Sequence, residues 1–342
     1  MLSSAKTTAA SFVLLKFTTM KAAVIYNRGE VPQYVDFPEP ATQNDNELLM
    51  TVKAAAIKNL DRSIASGKHY SSEKDASKAR IIGGDGVGVL EDGTRVYAVG
   101  VSGMIAEKAI VEKDRIVPLP QGIDDNSAAA LANAVAGSAM GLRFRAGIKR
   151  GETVLINGAT GVTGTIAVQI AKHYGAGKVI ATGRNEQALQ SLTAFGADEI
   201  ISINQSDEAF VSKIKSIHSS TPIDIVIDYL WGHTAELILA SLKGKGSFTH
   251  KTRFVSIGAV TGDIIQLSAE NLRSVDLQLS GSGLGSWTKD EVKLLFSEIL
   301  SEMFQLVVDK KMQIDTVTIP LKDIEQLWNM QVSSGERLVV VI

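Results

Sequence analysis

A chain of 342 residues is longer than one compact core usually holds, and it predicts two domains. With 45% hydrophobic and 21% charged residues and a formal net charge of −2, it lacks the basic bias of a nucleic-acid or anionic-membrane binder, so neither partner is expected. It contains no cysteine, which excludes disulfides and every thiolate-ligated zinc or iron–sulfur site.

Residues 1–19 are rich in Ser, Thr and Ala, contain no acid, and carry only the short apolar run Ser11 to Leu15. That run is too short to span a bilayer. The segment reads as an upstream extension, with a transit peptide as the alternative, and Met20 opens the domain as MKAAVIY. From about 20 to 125, β-branched runs such as AAVIY and LLMTVKAAAI are broken by Gly, Pro, Asp and Asn, the pattern of an irregular β domain.

The rhythm changes between about 150 and 280. Short apolar runs alternate with helix-length amphipathic segments: VLI then TIAVQIAKHYG, KVIAT then EQALQSLTAFG, EIISI then DEAFVSKIKSI, IDIVID then TAELILASL, followed by FVSIG and LQLSG. Such alternation predicts a parallel sheet covered on both faces. Gly175 and Gly196 stand where left-handed caps would stop two of the helices. From Trp287 to Ile342 the mixed pattern returns, so the α/β unit is expected to interrupt the first domain.

Within the α/β unit, LINGATGVTG places Gly158, Ala159, Thr160, Gly161, Val162, Thr163 and Gly164 between a buried strand and a helix. A helix N-terminus with unpaired N–H groups and a partial positive charge suits a pyrophosphate, and glycine permits its close approach. The second strand ends in Gly183, Arg184 and Asn185, with Arg184 twenty positions after Gly164. An acid there would grip a ribose 2′-hydroxyl; arginine suits a 2′-phosphate and predicts NADPH over NADH. Asp228, closing another strand, reads equally well as a capping residue. Tyr70 and Lys74 form a Y-x-x-x-K pair that precedes the glycine turn and is taken as coincidental.

From Met20 to Ile342 the sequence resembles the medium-chain dehydrogenase/reductases, and among them the zinc-independent quinone oxidoreductases. The markers, in order, include MKAAVIYNRGE, KNLDRSIASGKHY, IIGGDGVGVL, AAALANAVAGSAMGL, GETVLINGATGVTG, IDIVIDYLWG, FVSIG and GERLVVVI. The resemblance implies an α/β fold in which a GroES-like β-rich catalytic domain is interrupted by an inserted Rossmann domain. The expected division is a 1–19 extension, 20–130 catalytic, 131–284 cofactor-binding and 285–342 catalytic. It further implies a cytoplasmic homodimer.

Lys58 and Gly84 stand where the family's zinc enzymes place a thiolate and a histidine, so no metal is expected. The implied reaction is hydride transfer from NADPH to a quinone or α,β-unsaturated carbonyl. The family segment N-P-V-D corresponds to Lys58, Asn59, Leu60 and Asp61, which leaves both Lys58 and Asn59 as candidate donors and Asp61 as a residue of the turn. Tyr70 resembles a tyrosine at the substrate mouth. Gly137 and Ser138 resemble a family turn facing the nicotinamide half; Gly258 and Ala259 end the strand FVSIG at the carboxyl edge of the sheet, where ligands bind, and Trp231 and Trp287 are read as cleft residues or as buried packing. Two other readings stay open: an enoyl-thioester reductase, for which residues 243–253 (KGKGSFTHKTR) are the only basic cluster, and a non-catalytic NADPH-binding protein.

Overall fold

The computed structural model describes residues 18–69, 78–244 and 249–342. Six parallel strands form one sheet in the spatial order Glu199–Ser202, Lys178–Gly183, Thr153–Asn157, Ile225–Asp228, Thr252–Ser256, Leu277–Gly281. In chain order this is third, second, first, fourth, fifth, sixth, the doubly wound arrangement with its switch point between the first and fourth strands. The central strands Thr153–Asn157 and Ile225–Asp228 are buried along their whole length. That accounts for their reading as continuous apolar runs, since helices cover both faces.

A second six-stranded sheet belongs to the β-rich part. Glu47–Ala56, Asp85–Leu90, Arg95–Gly100 and Lys108–Pro118 pair antiparallel in succession, and the last also pairs with the first, closing a four-stranded ring. Closure removes the open edges. The terminal strand Glu336–Val341 joins antiparallel to Glu47–Ala56, so both ends of the chain build this unit around the inserted parallel sheet. A small third sheet holds Thr19–Ile25, Gln33–Pro38 and Arg80–Ile81.

Helix Asp125–Met140 spans position 130 and ties the parts together. Its alanine-rich buried face shares one core with Ala54, Val87 and Tyr97 of the ring and with Val154, Ile166 and Val168 of the parallel unit. Small side chains let it approach both sheets closely. Asp124 caps the helix, its carboxylate accepting the Ser127 N–H. Among the described residues no helix is long and apolar enough to cross a membrane.

Candidate active site

The carboxyl ends of the parallel strands open onto a cleft of about 920 Å³, the edge at which open α/β sheets bind ligands. One wall is the glycine turn with the neighbouring strand ends; the other is helix Asn59–Ala65 with the terminal strand. Of the residues singled out in the sequence, Asn59, Gly137, Gly158, Thr160, Gly161, Val162, Thr163, Gly164, Gly183, Arg184, Gly258 and Trp287 line it.

Within the glycine turn, Gly158 and Gly164 have no substitute. Gly158 has φ of 86°, and a Cβ on it would meet the Leu230 side chain at 2.9 Å. Gly164, in the first turn of helix Val162–His173, would place a Cβ 2.4 Å from the Gly158 carbonyl oxygen. The helix begins at Gly161 with no side-chain cap, which leaves its first N–H groups to a ligand. The arrangement fits a dinucleotide pyrophosphate.

Arg184 follows the second strand and is exposed on the rim; its backbone carbonyl accepts the Asn204 amide at 2.8 Å. Among the described residues no carboxylate pairs with its guanidinium. Asn185 caps the next helix, its side-chain oxygen accepting the Ala188 N–H at 3.0 Å, and lies outside the lining. Ala159 is buried and donates its N–H to the Thr182 carbonyl, while Ala259 is exposed beyond the cleft. Ser138 lies behind Gly137, fully buried. Trp231 packs edge-on against Phe254, away from the lining.

Lys58 and Asn59 part company. Lys58 is the N-cap of helix Asn59–Ala65 and is 2% exposed. Its ammonium donates to the Ala56 carbonyl at 3.0 Å, contacts Asp61 at 3.1 Å and bonds to Asp85. Burial acts to strip its proton, but Asp61 and Asp85 outweigh that and hold its pKa above the ordinary lysine value. Asp61 accepts the backbone N–H groups of Lys58 and Gly84, and Asp85 accepts the Tyr97 hydroxyl at 2.7 Å. The knot has no donor left to offer the cleft. Asn59, exposed beside it, does face the cleft. Tyr70 lies outside the described residues.

The sequence reading passed over Arg337, Arg62 and Tyr229. Arg337 lines the cleft with 8% exposure, and no acceptor among the described residues engages its guanidinium. Its charge faces Asp61 and Asp85, whose oxygens are already committed to the Lys58 knot. Arg337 thus balances, without a hydrogen bond, the second negative charge of the Asp61 and Asp85 pair. Arg62 spends one amino group on the Trp328 and Met330 carbonyls, tying the C-terminal segment to the cleft. In the basic stretch near 250, Lys243 pairs with Glu270 and His250 with Asp224.

Among the described residues no cluster of three His, Cys, Asp or Glu side chains is arranged to hold a metal ion. A doubly wound sheet inserted into a β-rich unit, with a cleft along its carboxyl edge, is the architecture of the medium-chain dehydrogenase/reductases. The family model described as zinc-binding dehydrogenase matches residues 162–301. Quinone oxidoreductase of Sus scrofa is 28% identical over 76% of this chain and 78% of its own length. Quinone oxidoreductase 1 of Escherichia coli is 29% identical over 91% and 96%. A mycobacterial protein solved in complex with NADPH has a TM-score of 0.79 at 22% identity, covering 94% of this chain and 100% of its own, which shows the shared fold. The chain is thus similar to quinone oxidoreductases of the medium-chain dehydrogenase/reductase kind, over the shares given. It has the expected α/β fold, a GroES-like unit interrupted by a Rossmann unit, and the relatives it matches are oxidoreductases.

Proposed function

We propose that this chain is a zinc-independent, NADPH-dependent reductase acting on a quinone or an α,β-unsaturated carbonyl. The observation that carries the reading is Arg184, an unengaged guanidinium at the end of the second parallel strand, on the rim of the cleft that the glycine turn floors. It suits the 2′-phosphate that distinguishes NADPH.

The free N–H groups of helix Val162–His173 would hold the pyrophosphate. Reduced nicotinamide bound there supplies a hydride. The chain's own part is to orient, to exclude water and to stabilise charge. Asn59 is the donor placed to hydrogen-bond the acceptor oxygen on which negative charge develops. Leu60, Leu230, Ile257 and Trp287 supply apolar walls suited to a flat, electron-poor acceptor. Lys58 acts from behind, fixing the start of the helix that presents Asn59.

Zinc does not suit these residues. The position for a thiolate holds an ammonium paired with Asp61 and Asp85, and the position for a histidine holds Gly84, whose N–H binds Asp61. The outer strand Leu277–Gly281, with a neighbour on one side only among the described residues, supports a homodimer. The test is oxidation of NADPH and NADH, with chelator present, against quinones, enones and an enoyl-CoA. Arg184→Ala is expected to cost NADPH roughly tenfold or more in kcat/KM, about 1.4 kcal/mol, and to leave NADH nearly unchanged. Equal use of both cofactors by the parent and the variant sinks the NADPH assignment; binding without turnover across the panel favours a non-catalytic role.

A further inference from the structure

The turn after the fourth parallel strand holds a backbone conformation that its own side chain opposes. Trp231 has φ of 56° and ψ of −154°, a region that glycine alone enters without cost. Strain of this kind persists only where the surroundings over-determine it, and here they do. The Asp228 carboxylate accepts the N–H groups of Leu230 and Trp231, both at 3.1 Å. From the other side Thr261 donates its N–H to the Leu230 carbonyl at 2.9 Å, and its hydroxyl lies 3.0 and 3.1 Å from the Leu230 and Trp231 carbonyls.

The hydride transfer proposed above uses neither Asp228 nor Trp231. What the clamp fixes is the pair Tyr229 and Leu230. Leu230 lies against the Cα of Gly158, filling the space a Cβ there would need. The buried Tyr229 hydroxyl is 2.8 Å from the Ser138 hydroxyl, which donates in turn to the Thr163 carbonyl at 3.1 Å, in the first turn of helix Val162–His173. With the Ser138 proton spent on Thr163, Tyr229 is the donor of the first bond. One strained turn therefore packs against the glycine turn through Leu230 and ties down the helix N-terminus through two consecutive hydrogen bonds.

We propose that Tyr229, Leu230 and Trp231 form a positioning device for the dinucleotide, in which a strained, clamped turn holds the glycine turn and the helix N-terminus in the geometry that receives the pyrophosphate. The inference rests on the cofactor reading above. It concerns residues that do not themselves touch the reacting atoms.

The experiment uses the full chain and three variants: Trp231→Gly, which relieves the strain, Tyr229→Phe, which removes the tie and keeps the ring, and the double variant. NADPH dissociation constants are measured by fluorescence well below each unfolding midpoint, together with amide exchange across residues 158–165 in the cofactor-free protein. Each single variant is expected to bind NADPH about tenfold more weakly and to exchange faster across the glycine turn, whichever way its unfolding midpoint moves. The double variant is expected to bind about as weakly as the worse single, since both act on one element. A Trp231→Gly protein that binds within about twofold of the parent, or whose glycine-turn exchange is unchanged, overturns the proposal. A parent chain that binds neither NADPH nor NADH overturns the cofactor reading itself, and the proposal falls with it.

Discussion

The two walls of the cleft are fixed by different physics. On the β-rich side, Lys58, Asp61, Asp85 and Tyr97 form a buried charged knot in which every ammonium donor and carboxylate oxygen has a partner. On the parallel-sheet side, Asn157, Thr182, Asp228 and Thr234 form a network without a cation. Thr182 donates to the Asn157 carbonyl at 2.7 Å, and the Asn157 amide donates to Asp228 at 2.8 Å and Thr234 at 3.1 Å. The charged knot anchors a helix that presents one amide, Asn59. The cation-free one lies directly beneath the glycine turn, and its one carboxylate, Asp228, is held by neutral N–H donors alone.

The contrast is broken most severely by Lys58→Met. It leaves Asp61 and Asp85 buried without their cation, and the expected cost is about 3–5 kcal/mol, read as a lower urea midpoint. Tyr97→Phe is the gentler cut into the same knot. It removes a donor to a buried carboxylate and is expected to cost about 1.5–3 kcal/mol. Thr182→Val makes the matching cut on the other side, where the acceptor is a neutral amide, and about 0.5–1.5 kcal/mol is expected. Equal losses for Tyr97→Phe and Thr182→Val in chemical denaturation would erase the distinction between the walls.

What the sequence disclosed follows the same division. The glycine turn was legible because its requirements are local: a positive φ at Gly158, and at Gly164 no room for a Cβ. The alternation of strands and helices announced the inserted parallel sheet for the same reason. Lys58 was not legible, because its partner Asp85 stands 27 residues away and is brought to it only by closure of the ring. Two donor candidates, Lys58 and Asn59, were adjacent in sequence, and only the fold turns one inward and leaves the other at the cleft. Arg337 sits in a terminal apolar strand, where its neighbours Leu338 and Val339 are core. Nothing local marks it as a cleft residue. Trp231 broke a local rule, a tryptophan where glycine belongs, and such violations surface only once backbone angles are known.

The smallest expected effect concerns Asp228, the one carboxylate of the cation-free network. Burial raises its pKa above the ordinary carboxylate value, against the pull of the Asn157 amide and the N–H groups of Trp231 and Leu230. A carboxyl group with a raised pKa in the folded state binds its proton more tightly there than in the unfolded chain. As pH rises from the ordinary carboxylate value to the raised one, the unfolded chain gives up this proton first, so the group's contribution to stability falls across that window and is flat above it. Urea midpoints of the parent and Asp228→Asn, followed from the acid side to neutrality, isolate the difference: relative to the parent, the variant should gain stability as pH rises through the window. A difference that stays constant with pH would mean that the Asn157 amide and the N–H groups of Trp231 and Leu230 fully offset the burial of Asp228, and that a carboxylate sits beneath the glycine turn at no electrostatic cost.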